Sequence, residues 1–91
     1  MILHIIEACV VGPTSLVVTF NDGVKRRVNV RPLLHGPVFE PLNDPSYFAT
    51  VTVDSTLGTV VWPNDADLAP EALYELPNEM GPPEQLERQA G

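Results

Sequence analysis

Apolar residues fall on both parities of the N-terminal run Ile2–Val11, broken by His4 and Glu7 and stopped at Gly12-Pro13. A run that is apolar on both faces predicts a buried central strand better than a half-exposed one. Leu16, Val18 and Phe20 then alternate with Val17 and Thr19 up to Asn21-Asp22-Gly23. Asp-Gly between two such runs predicts a hairpin, because the turn needs a positive φ that glycine adopts at no steric cost. Beyond it Val24, Arg26, Val28 and Val30 share one parity and Lys25, Arg27 and Asn29 the other. Arg26 therefore interrupts the apolar face of its own strand. Pro32 ends that strand, and Arg31–His35 predicts one helical turn before Gly36-Pro37.

The segment Pro41–Ala49 reads as a short helix with Asp44 as N-cap and Pro45 at the first helical position. Val51 and Val53 next alternate with Thr50 and Thr52, and residues 54–58 connect them to a returning strand, Thr59–Trp62, which Pro63 stops. This is a second hairpin. In the last element, residues 66–76, Leu68, Ala72, Leu73 and Leu76 fall on a helical stripe and Glu71 and Glu75 lie outside it. Pro70 belongs in a first turn, so the helix proper starts near Ala69, with Asp67 in or near a capping position. The sum is an α+β domain: a small, mostly antiparallel sheet of about five strands with two hairpins and one or two short helices.

Composition narrows the class. The chain has 91 residues, which suffice for one sheet and one or two helices around one core. Its single cysteine excludes an intrachain disulfide and a multi-thiolate metal site, and points to a reducing cytoplasm. The N-terminal apolar run is too short and too interrupted for a membrane span or a leader. With 5 Lys+Arg against 12 Asp+Glu, the formal charge of −7 argues against a protein that grips phosphates. That charge is unevenly placed, with a balance of −1 up to Trp62 and −6 over the residues that follow. Residues 77–91 are acidic and proline-rich, and read as a disordered tail following a single domain over residues 1–76; the tail either serves solubility or orders on a partner.

No catalytic set assembles from these residues. His4 and His35 are far apart, and His4 and Cys9 sit on opposite strand parities, so they share a face only if a bulge intervenes. Cys9, in an apolar strand, reads as buried and inert. Ser15 and Ser46 lack a nucleophile-elbow context, and there is no phosphate-cradling glycine loop. Asp65 and Asp67 either compensate a helix N-terminus or, with Asn64 or Glu71, hold a divalent cation. Lys25-Arg26-Arg27 alternate sides of a strand, which suits edge protection better than nucleic-acid binding. Trp62 beside Pro63 is the best candidate for a rim aromatic, against the ordinary expectation of packing.

Gly36-Pro37-Val38-Phe39-Glu40-Pro41-Leu42, then Asp44-Pro45 and Phe48, then the run from Gly58 through Trp62-Pro63-Asn64-Asp65-Ala66-Asp67-Leu68-Ala69-Pro70-Glu71-Ala72-Leu73-Tyr74, together resemble the small bacterial family known as domain of unknown function 2442. The resemblance spans about residues 2–76, with Asp65 standing where that pattern usually has glycine. It implies a small α+β domain that occurs alone or ahead of a helix-turn-helix, with free-standing members suspected of being antitoxin-like partners of another short protein. It implies no catalytic residue, and DNA binding through a helix-turn-helix is not expected of this chain. The expected function is thus a non-catalytic protein–protein interaction module without a cofactor, with a small and basic protein as partner and self-association through open sheet edges. Leu73 and Leu76, with Met80 and Leu86, are the apolar anchors, and no nucleic acid or membrane is expected as partner. The alternative is a small-ligand or divalent-metal sensor around Trp62, Asn64, Asp65 and Asp67.

Overall fold

Strands β1 (Ile5–Gly12), β2 (Ser15–Phe20) and β3 (Lys25–Asn29) form an antiparallel sheet in the order β1-β2-β3 in a computed structural model that describes residues 2–80. The β2–β3 hairpin closes where Asn21-Asp22-Gly23 predicts it. Asp22 Oδ1 accepts from the Val24 N–H at 2.9 Å, and Gly23 takes the positive φ of 89°. Leu16, Val18 and Phe20 of β2 and Val28 of β3 lie fully buried on one face. The opposite face, with Glu7, Cys9, Val17, Lys25 and Arg27, is uncovered by other elements and wholly or partly exposed.

The second predicted hairpin joins β4 (Thr52–Asp54) to β5 (Thr59–Val61) as a separate two-stranded sheet. The described residues therefore hold five antiparallel strands, but in two sheets. A third hairpin, through Pro13-Thr14, joins β1 to β2. Between the sheets the backbone link is the Ile5 N–H to the Gly58 carbonyl at 2.8 Å, after which β1 bulges away.

Residues 2–11 are not a central strand. Hairpins on both sides make β2 the middle strand and leave β1 at the edge. Its two-parity apolar pattern has two sources: register shifts between Ile5 and Glu7 and between Val10 and Gly12, and apolar side chains at Ile6, Cys9 and Val11 that are exposed rather than buried. Each extra residue reverses which parity faces inward, so a strand with one buried face reads as apolar on both. Ile6 is 61% exposed, Val10 38% and Val11 37%.

A 3-10 turn at Arg31–Leu33 and another at Glu40–Asn43 lead into α1 (Pro45–Phe48). Asp44 caps α1 as expected, accepting from the Ser46 N–H at 3.0 Å. Phe48 is thereby delivered into the core, with its ring centroid 5.5 Å from that of Trp62. Helix α2 (Pro70–Glu75) is shorter than the periodicity of residues 66–76 suggests, and it begins after Ala69 as Pro70 requires. Ala66 and Leu68 are buried with Asp67 exposed between them, which is strand alternation rather than a helical stripe. Asp67 bridges Val61, and the Thr59 hydroxyl donates to the Leu68 carbonyl. Asp67 therefore does not cap α2, whose N-cap Ala69 makes no side-chain bond.

Past α2, Asn78 and Glu79 run along the outer edge of β3. Asn78 Oδ1 accepts from the Arg27 N–H at 3.2 Å, and the Glu79 N–H donates to the Arg27 carbonyl at 2.7 Å. Ordered contacts thus continue beyond Leu76, while residues 81–91, most of the expected tail and Leu86 with it, lie outside the described residues.

Candidate interaction surface

The Trp62–Asp67 segment, where a ligand or cation was one expectation, is a tight reversal. The Asp65 N–H donates to the Trp62 carbonyl and the Trp62 N–H to the Ala66 carbonyl, both at 2.9 Å, so Pro63-Asn64-Asp65 is a three-residue loop. Such loops end on a residue in the left-handed region, and Asp65 sits there with φ 68°. Asn64 has both amide groups engaged: Nδ2 donates to the Val38 carbonyl at 2.9 Å and Oδ1 accepts from the Ala66 N–H at 3.2 Å. Trp62 is not a rim aromatic. Its indole is buried, and Nε1 donates to the Phe48 carbonyl at 2.9 Å.

Of the other expected contact residues, Leu73 is fully buried in the core and Leu76 packs half-buried against it. Leu73 is thus a core residue rather than an exposed anchor, because its position on α2 faces the sheet. Asp65 and Asp67 are exposed, and among the described residues no three His, Cys, Asp or Glu side chains gather as ligands. Nor do the described residues enclose a cavity of ligand size. Both histidines are exposed. Cys9 is exposed as well, contrary to the expectation of burial, because it stands opposite Val17 on the uncovered sheet face. A bulge does intervene between His4 and Cys9.

A cluster that composition alone does not reveal joins the β2–β3 hairpin to α2. The Arg26 guanidinium lies 4.9 Å from the Tyr74 ring centroid and donates through Nη1 to the Leu76 carbonyl at 3.1 Å. The Tyr74 hydroxyl donates to Asp22 Oδ2 at 3.0 Å, and its ring meets Phe20 edge-on at 4.8 Å. The hydrogen bond to the Asp22 carboxylate, then desolvation and the Asp22 charge, hold the Tyr74 phenol above its ordinary pKa, with Arg26 opposing. The signal for this clamp is Arg26 itself, a charge on the apolar parity of its strand.

The two edges of the three-stranded sheet are treated differently. The Phe20 N–H bonds the Val24 carbonyl and the Asn21 N–H bonds the His4 carbonyl, each at 2.8 Å. Even-numbered residues of β2 thus face β3 and odd-numbered ones face β1. By the alternation of an antiparallel ladder, Glu7 and Cys9 bond β2 while Ala8 and Val10 direct their N–H and C=O outward. Neither has an outward partner among the described residues. On the far side, the outward groups of Arg27 are taken by Asn78 and Glu79. The β3 edge is closed at Arg27, the middle of its outward-directed residues, whereas the β1 edge is bonded at Ile5 by the Gly58 carbonyl and open at Ala8 and Val10.

Comparison with curated proteins and with solved structures gives no match. Over residues 5–79, from the first residue of β1 to the Glu79 that closes the β3 edge, the chain matches the family described as "Protein of unknown function (DUF2442)", and it belongs to that family.

Proposed function

We propose that the chain is a non-catalytic protein–protein interaction module, regulatory or antitoxin-like in kind, that meets another chain along the open edge of β1. One observation carries this reading: the same strand combines unpaired outward backbone at Ala8 and Val10 with exposed apolar side chains at Ile6, Val10 and Val11. An open edge is a template for another strand, and monomeric proteins ordinarily blunt it with Lys, Pro or inward charge. In Ile5–Gly12 the only charged residue is Glu7. Strand addition draws affinity from main-chain hydrogen bonds and specificity from alternate side chains. The exposed carboxylates of Asp65, Asp67, Glu71 and Glu75 leave a surface suited to steering a small basic protein. A ligand sensor at Trp62–Asp67 has less support, since Trp62 and Asn64 spend their polar groups on holding the loop.

The test is recovery of partners from the native host by the wild-type chain and by the Ile6→Lys/Val11→Lys double variant. Both substitutions lie at exposed positions, so the variant keeps the wild-type melting temperature and loses the partners. Recovery of the same proteins by both chains would falsify the reading.

A further inference from the structure

We infer that the occupant of the β1 edge is a second copy of this chain, paired antiparallel about a two-fold axis at Cys9. The inference rests on the edge-pairing part of the reading above and assigns that edge to a like chain, the carboxylates after Trp62 being left for a basic partner of the dimer. Three observations select this arrangement.

The first is which backbone groups are free. A two-fold antiparallel pair must match outward-directed residues with each other, and on β1 these are Ala8 and Val10 between the two bulges. Placing Ala8 opposite Val10 of the second copy, and the reverse, satisfies all four groups on each chain. Centring the pair on Ala8 or on Val10 instead requires the irregular backbone at Ile6 or Gly12 to complete the ladder.

Side chains favour the same register. It sets Glu7 opposite Val11 of the other copy, so the single charge of the strand does not meet its own image. The exposed Val10 side chain lies beside the small Ala8 of the second copy, and apolar surface at Val10 and Val11 leaves water on both chains.

Closure is the third. An isologous edge pair yields a six-stranded sheet whose two new ends are both β3 edges. At the middle of each of those, the Arg27 backbone is already bonded by Asn78 and Glu79 of its own chain, which interrupts the row of free groups a further strand would need, so growth stops at two copies. A chain with both edges open would instead risk open-ended stacking.

In this register Cys9 faces Cys9 of the second copy across a non-hydrogen-bonded pair, on the exposed face of the sheet. Such pairs bring Cα atoms to about 4.5 Å, inside the range a disulfide spans. Cys9 is therefore a reporter of the register. Sedimentation of the reduced full chain gives a mass twice 9.9 kDa, and added diamide, which takes up the two electrons and two protons of the thiol pair, converts the dimer to a Cys9-linked species. In a Cys9→Ser background, Val11→Cys yields no such crosslink, since Val11 faces Glu7. Val10→Pro removes an outward N–H and leaves the β1–β2 ladder intact, so it keeps the fold and weakens dimerisation at least tenfold; Ile6→Lys/Val11→Lys provides the same test through side chains alone. A chain that stays monomeric at high micromolar concentration overturns the self-pairing. A dimer that persists in both variants, or that crosslinks through Val11→Cys and not through Cys9, overturns it as well. Capture of a different protein by a monomeric chain through the same edge would sink the self-pairing and leave the interaction reading standing.

Discussion

Asp65 holds a backbone conformation that glycine adopts freely, with φ 68° at the close of a three-residue loop whose hydrogen bonds tie Trp62 to Ala66. Aspartate tolerates this region better than most residues but still at a cost. Asp65→Gly relieves it and raises stability by about 0.5–1 kcal/mol, less the extra entropy glycine gives the unfolded chain. Gly58 is the converse case. Its φ is 71°, and a Cβ there would stand 2.8 Å from His4 Cδ2. Gly58→Ala therefore lowers stability by about 1–2 kcal/mol through strain and the clash together. His4→Ala in the same chain recovers the clash and not the strain. Denaturant midpoints of the four chains check both statements, and a Gly58→Ala chain as stable as wild type would refute the second. At this scale much is legible in the order of residues alone: Gly23 in its turn and Asp44 and Pro45 opening α1 are local effects that need no tertiary partner, whereas Asp65 stands out only against the glycine of the family pattern.

Elements are legible only as far as their period is regular. Strand β2 alternates without interruption and is recovered with its facing. Strand β1 defeats the same reasoning because two bulges reverse its parity, and neither Ile6 nor Val11 carries a residue type that marks a bulge. Residues 66–68 fail for a related reason, since the six-residue helix Pro70–Glu75 follows after Ala69 and its apolar positions extend the apparent stripe backwards. Arg26 is the opposite case, an anomaly visible in the pattern whose partners are distant in sequence: Tyr74 and Leu76 on the α2 side, with Asp22 completing the clamp. The neutral Tyr74 phenol donates to Asp22, and its pKa lies above the ordinary tyrosine value. Because the folded value is the raised one, the contact contributes fully below the unfolded tyrosine pKa and is lost as pH climbs through the folded value, when phenolate faces carboxylate. Tyrosinate absorbance during alkaline titration shows Tyr74 ionising at lower pH in Asp22→Asn than in wild type; identical titrations would contradict the assigned cause.

For the whole molecule, the formal charge of −7 recedes as an explanation of contact and the edges take its place. Most of the acidity lies after Trp62, where Asp65, Asp67, Glu71, Glu75 and Glu79 are exposed. The apolar anchors expected in the same region prove internal in the case of Leu73, while the exposed apolar positions Ile6, Val10 and Val11 lie on a strand that sequence reasoning places at the centre of the sheet. The fold thus leaves Ile6, Val10 and Val11 exposed along one edge and bonds the opposite edge at Arg27 with its own Asn78 and Glu79. Amide hydrogen exchange on the dilute chain reads this asymmetry directly. The account predicts fast exchange at the Ala8 and Val10 amides, slow exchange at Cys9 and Glu79, and protection of Ala8 and Val10 that grows with protein concentration. Slow exchange at Ala8 and Val10 at the lowest concentration, equal to that at Cys9, would mean the β1 edge is already paired within one chain and would contradict the account.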